Sequence, residues 1–481
     1  MASWLVGRRC TGVGLVGESG MAPKSSGVYA PSMPGPTDAC GTEAPHPFPG
    51  PLAGRKAVVM GLGRFGGGEA VARHLGRLGA NVLVTDLQPP DELERSIAGL
   101  KEAGVTFRLG EHRIEDFSAA DLVMVNPAVP HPWDNPFLIE ARARGARLLT
   151  EIRLAIGDHS ARRVIGITGS AGKSTTAAMV QHALLKVRPD LRSRLGGNIG
   201  GSLLDEPPRP DSTLVLELSS FMLHWLAGDA GGSGDRFTPG VALVTNIAPN
   251  HLDWHRSLDH YTASKQAIFT PSPACSAPRR VDPSEAAWRP DLRSELELAV
   301  PGSHNRENAF NAIATIIEHL DLLDGEVADR GATARACATA LRDFPGLPHR
   351  LEFVDARRGI RFYNDSKSTT PDATCLAVDA MPSAGRTHLI AGGYDKGSDL
   401  NPIARRTREL AGLYAIGATE AAICAHGGEA CGTLAQAFAR AVASASEGDV
   451  ILLSPGCASW DQFTDFEARG QRFRELVTGL D

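Results

Sequence analysis

The stretch that most constrains this chain is Arg163–Thr176, which reads R-V-I-G-I-T-G-S-A-G-K-S-T-T. A β-branched apolar run meets a small-residue loop, and Lys173-Ser174-Thr175-Thr176 then opens a helical pattern through Val187. This is the layout of a phosphate loop: backbone N–H groups cradle phosphates, a lysine reaches the outer phosphate, and a hydroxyl faces Mg²⁺. The strict signature G-x-x-x-x-G-K-[ST] is not met, because the glycines are Gly166, Gly169 and Gly172 and position 167 is Ile. A glycine-rich strand-to-helix turn without a ligand fits the same letters, so the rest of the chain has to decide.

At 481 residues, length alone suggests roughly three domains. A net charge of −6 gives no hint of a nucleic-acid-binding surface. Eight cysteines are scattered without a C-x-x-C pair, which indicates neither a disulfide framework nor a zinc site and makes a cytoplasmic setting the default. No run approaches 18 uninterrupted apolar residues, so no membrane span is expected. Residues 1–50 are rich in Gly, Pro, Ser and Ala and read as a disordered leader.

An α/β fold of three domains is expected, over 51–150, 151–345 and 346–481. In the first, the strand Lys56–Met60 runs into Gly61-Leu62-Gly63-Arg64-Phe65-Gly66, a helix over Glu69–Leu78, and a strand Ala80–Thr85 ending at Asp86. That is a βαβ unit with G-x-G-x-x-G at its first turn, a Rossmann-like nucleotide site. A third strand is expected at Asp121–Val125, a helix at Asn135–Arg144 and a strand at Arg147–Leu149. In the central domain the phosphate-loop strand is joined by Thr213–Leu218 and Val241–Ile247. Ligands bind beyond the C-terminal ends of parallel strands, and Gly169–Ser174, Glu217 and Asn246–His251 all fall there. A carboxylate and an imidazole beside a phosphate loop are suited to hold Mg²⁺. Residues 271–300 read as a surface excursion, and a long helix follows through Leu323. After the linker Phe344–Arg350, strands at Ile360–Tyr363, His388–Ile390 and Val450–Leu453 repeat the logic, gathering polar and basic groups at one sheet edge. Three such edges facing one cleft suggest hinges near residues 150 and 346.

The ordered set T-G-S-A-G-K-S-T-T, G-G-N-I-G (196–200), E-L-S-S-F (217–221), N-I-A-P-N-H-L-D-W-H (246–255), Y-T-A-S-K (261–265) and H-N-R-E-N (304–308) resembles the Mur ligases. So do G-L-P-H-R-L-E (346–352), N-D-S-K-S-T (364–369), G-G-Y-D-K-G (392–397) and the run L-S-P-G-C-A-S-W-D-Q-F-T-D-F-E-A-R-G from 453. The resemblance covers roughly residues 55–481 and implies ATP-driven amide formation between UDP-N-acetylmuramoyl-L-alanine and D-glutamate, through an acyl phosphate, by a cytoplasmic monomer.

It implies a UDP-binding first domain, a central ATP domain and a C-terminal glutamate domain. Gly169, Ser170, Ala171, Gly172, Lys173, Ser174 and Thr175 would hold the ATP phosphates. Ser174, Glu217, His251 and a carbamylated Lys265 would hold Mg²⁺. Asn305 and Asn308 would sit near the adenine, Asp365 near the ribose, and Arg350 near the transferred phosphate. Lys367, Thr369, Lys396, Ser459 and Phe466 would receive the glutamate. Gly61, Gly63, Asp86 and Asn198 would receive the UDP substrate. Lys173, His251, Lys265 and Arg350 would carry the chemistry.

The sequence departs from the family pattern at Phe65, where a serine is expected, at Asn250 in place of an aspartate, and at Trp460 in place of a smaller apolar residue. An NAD-dependent dehydrogenase built on the first domain leaves the phosphate loop and the third domain unexplained. A non-catalytic nucleotide-binding regulator sits poorly with Lys173, Glu217, His251 and Lys265. Another ligase of the superfamily, such as folylpolyglutamate synthase, sits poorly with N-D-S-K and S-P-G-C-A-S-W-D-Q-F.

Overall fold

A computed structural model of the chain describes residues 51–63, 66–100, 103–157, 159–228, 236–395 and 397–480. The expected leader over 1–50, Phe65 and Lys396 lie outside the described residues.

Three sheets follow one another along the chain. The first contains β1 (Lys56–Met60), β2 (Asn81–Asp86), β3 (Thr106–Leu109), β4 (Leu122–Val125) and β5 (Arg147–Leu149), all parallel in the order β3-β2-β1-β4-β5. β3 was not expected. Thr106 is exposed and Phe107, Arg108 and Leu109 are only half-buried, so they lack the continuous apolar run that marks a central parallel strand. The order reverses between β1 and β4, which opens a crevice beyond Met60 and Val125.

The second sheet contains β6 (Val164–Thr168), β7 (Arg194–Gly197), β8 (Leu214–Glu217), β9 (Val241–Val244) and β10 (Arg279–Arg280), parallel in the order β10-β9-β6-β8-β7. The phosphate-loop strand is therefore central, with β8 and β9 at its two sides. Helices Lys173–Val187 and Ser303–Asp324 cover one face, burying Ala177, Val180, Ala183 and Leu184 with Ile313, Ile316 and Ile317. Residues 271–300 are more than a surface excursion. They supply the edge strand β10 and bury Val281, Leu292, Leu296 and Val300 in the same core, because single apolar residues spaced among prolines and charges anchor the segment without a legible period.

The third sheet contains β11 (Glu352–Arg357), β12 (Ile360–Asn364), β13 (Thr387–Gly392), β14 (Gly412–Ile416), β15 (Glu429–Ala430) and β16 (Val450–Leu453), in the order β11-β12-β16-β13-β14-β15. Only β11 runs antiparallel, as a hairpin partner of β12.

The three sheets are not equally joined. One apolar cluster runs from Val59, Leu62 and Met124 of the first sheet through Leu149 and Ile152 to Leu203, Leu216 and Met222 of the second. The junction near residue 150 is thus part of a packed core. The third sheet has its own apolar clusters on its two faces, centred on Leu389 and Leu452 and on Ile390 and Phe473.

Candidate active site

Thr168 ends β6, and the chain turns through Gly169-Ser170-Ala171-Gly172 into helix Lys173–Val187. Gly172 caps that helix at φ 80°, and a Cβ there would lie 2.5 Å from Asn308 Oδ1. Side chains disfavour both conditions. The loop is strapped to the end of β9: Ser170 N–H donates to the Asn246 carbonyl (2.9 Å) and Ala171 N–H to Asn246 Oδ1 (2.9 Å). Thr245 Oγ1 and Asn246 Nδ2 both donate to the Ala171 carbonyl, at 2.6 and 3.0 Å. Gly166 serves packing instead, since a Cβ would meet Pro239 at 2.7 Å. The glycines at 166 and 172 thus have separate reasons.

The ends of β6 and β8 bring charge together in a dry setting, and the loop after β9 places His251 beside them on the exposed side. Glu217 is 1% exposed and its Oε2 has no hydrogen-bond partner. Lys265 is 2% exposed and donates to the Gly169 carbonyl (2.8 Å) and Thr168 Oγ1 (3.3 Å), its Nζ 4.8 Å from the Tyr261 ring centroid. Burial lowers its pKa to about 7, with repulsion from Lys173 adding and Glu217 opposing. Burial also lowers the Lys173 pKa, with Glu217 opposing and Arg350 adding. Lys173 Nζ rests on the Ser170 carbonyl at 3.2 Å, and Ser174 is buried. His251 occupies a left-handed turn at φ 52°, its N–H taken by Asn250 Oδ1 (2.9 Å) and its ring edge-on to Phe221 at 5.0 Å. Asn250 therefore braces the backbone of the imidazole rather than its ring.

The third sheet faces the phosphate loop across a cavity of about 1060 Å³, lined by Gly172, Thr175, Asn305, Asn308, Arg350, Asp365, Lys367 and Thr369 among others. Lys367 sits 5.0 Å over the Phe466 ring, and its pKa is lowered by burial and by Arg350, with Lys173 also acting on it. Asp365 is buried and takes Ser454 Oγ (2.7 Å), Ser368 Oγ (2.5 Å) and Leu351 N–H (3.1 Å); burial raises its pKa to about 6 against these donors. Asn305 and Asn308 are buried, and Asn308 accepts from Thr176 Oγ1 at 3.4 Å. Ser459 is buried, and the next residue, Trp460, forms an exposed aromatic pair with Tyr394, ring centroids 5.5 Å apart.

A second cavity of about 380 Å³ lies at the switch point of the first sheet, lined by Gly61, Gly63, Asn126, Asn198, Ser219 and Phe221. Asp86 does not line it. Its Oδ2 accepts from Leu62 N–H (2.8 Å) and Gly63 N–H (3.2 Å), and its Oδ1 from Gln88 N–H (2.9 Å). In the structure the Asp86 carboxylate braces the glycine turn through these amides.

Three residues lie within stretches read from the sequence but had no role of their own there. Tyr261 bonds Ser170 Oγ at 2.8 Å and faces Lys265; its position four residues before Lys265 on helix Leu258–Gln266 was the available signal. Asn246 clamps the phosphate loop, and Arg469 ties together the third-sheet loops; both act across long sequence separations that leave no local pattern.

A phosphate loop with a buried carboxylate, facing a second set of cations across a cleft, defines a nucleotide-dependent α/β enzyme. Two family models match, the Mur ligase middle domain over residues 167–283 and the Mur ligase glutamate ligase domain over 349–457. A UDP-N-acetylmuramoylalanine--D-glutamate ligase of Acidobacterium capsulatum is 35% identical over 89% of this chain and 96% of its own length. Its counterpart from Anaeromyxobacter dehalogenans is 36% identical over 89% and 98%. Among solved structures, a pseudomurein peptide ligase type C from Methanothermus fervidus has a TM-score of 0.44 at 17% identity, over 89% of this chain and 100% of that one. The chain belongs to the Mur ligase family, in the branch of the UDP-N-acetylmuramoylalanine--D-glutamate ligases. It is an ATP-dependent, amide-bond-forming ligase.

Proposed function

We propose that the chain joins D-glutamate to UDP-N-acetylmuramoyl-L-alanine at the expense of ATP, in peptidoglycan precursor synthesis. The observation that carries this reading is that Lys173 and Glu217 at the phosphate loop lie within electrostatic reach of Arg350 and Lys367, which line the cavity on the side of the third sheet. Residues 51–150 would bind the UDP substrate at the smaller cavity, 151–345 the ATP, and 346–481 the amino acid. In this reading the chain works in the cytoplasm as a monomer.

A carboxylate is a poor electrophile, and the alanyl carboxylate and ATP repel each other. Lys173 and the loop amides of Gly169–Thr175 would hold the phosphates, with Arg350 on the transferred group, so that the carboxylate oxygen attacks phosphorus and ADP leaves. The glutamate amine then attacks the acyl phosphate carbonyl, losing a proton as inorganic phosphate departs. Lys367, Thr369, Ser459 and Phe466 would hold that amino acid, with Lys396 as a further contact. Asn305, Asn308 and Asp365 would border the nucleoside, and Gly61, Gly63 and Asn198 the UDP-muramoyl part.

The site fits a divalent cation. The orphaned, buried Glu217 Oε2 is an acceptor awaiting a positive partner, and Ser174 and His251 supply neutral donors at neighbouring strand ends. Mg²⁺ would neutralise phosphate charge there, and a carbamate on Lys265 would convert a repelling ammonium into an anionic ligand. Phosphate release from ATP should require both UDP-N-acetylmuramoyl-L-alanine and D-glutamate. Release that proceeds equally with L-glutamate, or only with another amino acid, would overturn the substrate assignment.

A further inference from the structure

Arg469 is the largest fully buried side chain of the molecule's described residues, at 1% exposure on helix Phe466–Thr478. Its Nε donates to Ser366 Oγ (2.9 Å), one terminal nitrogen to the carbonyls of Cys457 (3.1 Å) and Ala458 (3.2 Å), and the other to those of Ser366 (2.8 Å) and Cys457 (3.2 Å). Every acceptor is neutral. Burial lowers the pKa of this guanidinium to about 10, so it stays charged at neutral pH. Burying a cation with no carboxylate in hydrogen-bond contact, and Asp461 acting only at longer range, is costly, and an apolar side chain of similar volume would avoid that cost.

The acceptors sit on two loops. Ser366 lies one residue from Lys367 and three from Thr369, beyond β12. Cys457 and Ala458 immediately precede Ser459, beyond β16. A third loop closes on the same group: a Cβ at Gly393 would meet the guanidinium at 3.2 Å. Phe466, over which Lys367 lies, is one turn earlier on the helix that carries Arg469. The following residue is glycine because a Cβ at 470 would run into the His349 ring.

We propose that Arg469 is the positioning residue of the amino-acid pocket: it holds the Lys367–Thr369 and Ser459 loops in one register and places a positive charge beneath an anionic amino acid. This rests on the reading of the third sheet as the amino-acid site. A fixed charge in a low-dielectric floor acts on a carboxylate without needing contact, while the fork geometry sets the distance between the two loops.

The test is steady-state kinetics on Arg469→Lys and Ser366→Ala. Lysine keeps the charge but not the fork, and Ser366→Ala removes one acceptor without touching the guanidinium. Arg469→Lys should raise KM for D-glutamate roughly ten-fold or more, with KM for ATP and for the UDP substrate within about two-fold of wild type. Ser366→Ala should move the same parameter less, and the double variant should fall short of the product of the two. Unchanged amino-acid KM in Arg469→Lys, or equal rises for all three substrates alongside a lowered Tm, would overturn the proposal. A wild-type enzyme that turns over with a different amino acid overturns the D-glutamate reading alone; the same comparison run with that amino acid still decides Arg469.

Discussion

Lys265 Nζ donates to the Gly169 carbonyl at 2.8 Å, tying a buried amine on helix Leu258–Gln266 to the first residue of the phosphate loop. The amine, Lys173 and Glu217 interact electrostatically with one another, so two ammonium groups share one carboxylate. With both lysines unmodified, the set repels a divalent cation. Lys265→Ala should therefore abolish synthesis and regain part of it with small carboxylic acids, which can take the place of a carbamate. Lys173→Ala should also abolish synthesis, but without rescue, because its cationic head is what the phosphates need. Phosphate release measured with and without added acetate or formate separates the two; full activity of either variant would remove its assigned role.

Gly172 tests the phosphate loop independently of chemistry. Its φ of 80° and the 2.5 Å approach of Asn308 Oδ1 to a Cβ both penalise a side chain. Gly172→Ala should destabilise by about 1–3 kcal/mol and weaken ATP. Adding Asn308→Ala should return the steric part and leave the backbone part. Denaturation midpoints of the four proteins in that cycle report the coupling, and simple additivity would show that Asn308 is not the obstacle.

His255 couples folding to acid. It is buried between Ser220 Oγ (2.9 Å from Nε2) and His260 Nδ1 (3.1 Å from Nδ1), within a ring cluster that includes Trp254 and His224. Burial first, then His260 and His224, lower its pKa to about 3. A histidine whose folded pKa lies below its unfolded value of about 6.5 binds fewer protons folded than unfolded between those limits. Its contribution is present above pH 6.5 and fades as pH falls, by about 2 kcal/mol at pH 5. His255→Gln should flatten that acid slope in urea titrations from pH 7.5 to 5; an unaltered slope would clear His255.

Asp365 has the opposite sign. Its folded pKa of about 6 exceeds the ordinary 3.8, so the folded protein binds more protons through that window and loses stability as pH rises from 4 to 6. The cost at neutral pH is on the order of 2–3 kcal/mol. Asp365→Asn should raise Tm at pH 7.5 relative to pH 4 while weakening nucleotide binding. A Tm that drops at both pH values would mean that the hydrogen bonds from Ser368, Ser454 and Leu351 outweigh the burial of charge.

Much of the site was legible because its groups sit at strand ends. Lys173 and Ser174 follow the loop directly, and the strand preceding Glu217 announces itself by an unbroken apolar run over Leu214–Leu216, all buried. Lys265 and Tyr261 share a helix face, a periodicity readable from spacing. β3, β7 and β14 were not expected. Exposed and half-exposed residues in the first and two glycines in the second carry too little local bias, whereas the third holds a buried apolar run, Leu413–Ile416, that a strand reading could have used.

By itself, the sequence determined the phosphate loop, the three-sheet α/β plan and the family, since each rests on short-range pattern. Only the tertiary structure decided that Asp86 braces its own turn, that the junction at 150 is core, and that Arg469 joins loops about 100 residues apart. The physical reason is one of range. Strand, turn and helix propensities act within a few residues, whereas the fate of a buried carboxylate or guanidinium depends on which donors and acceptors folding brings to it.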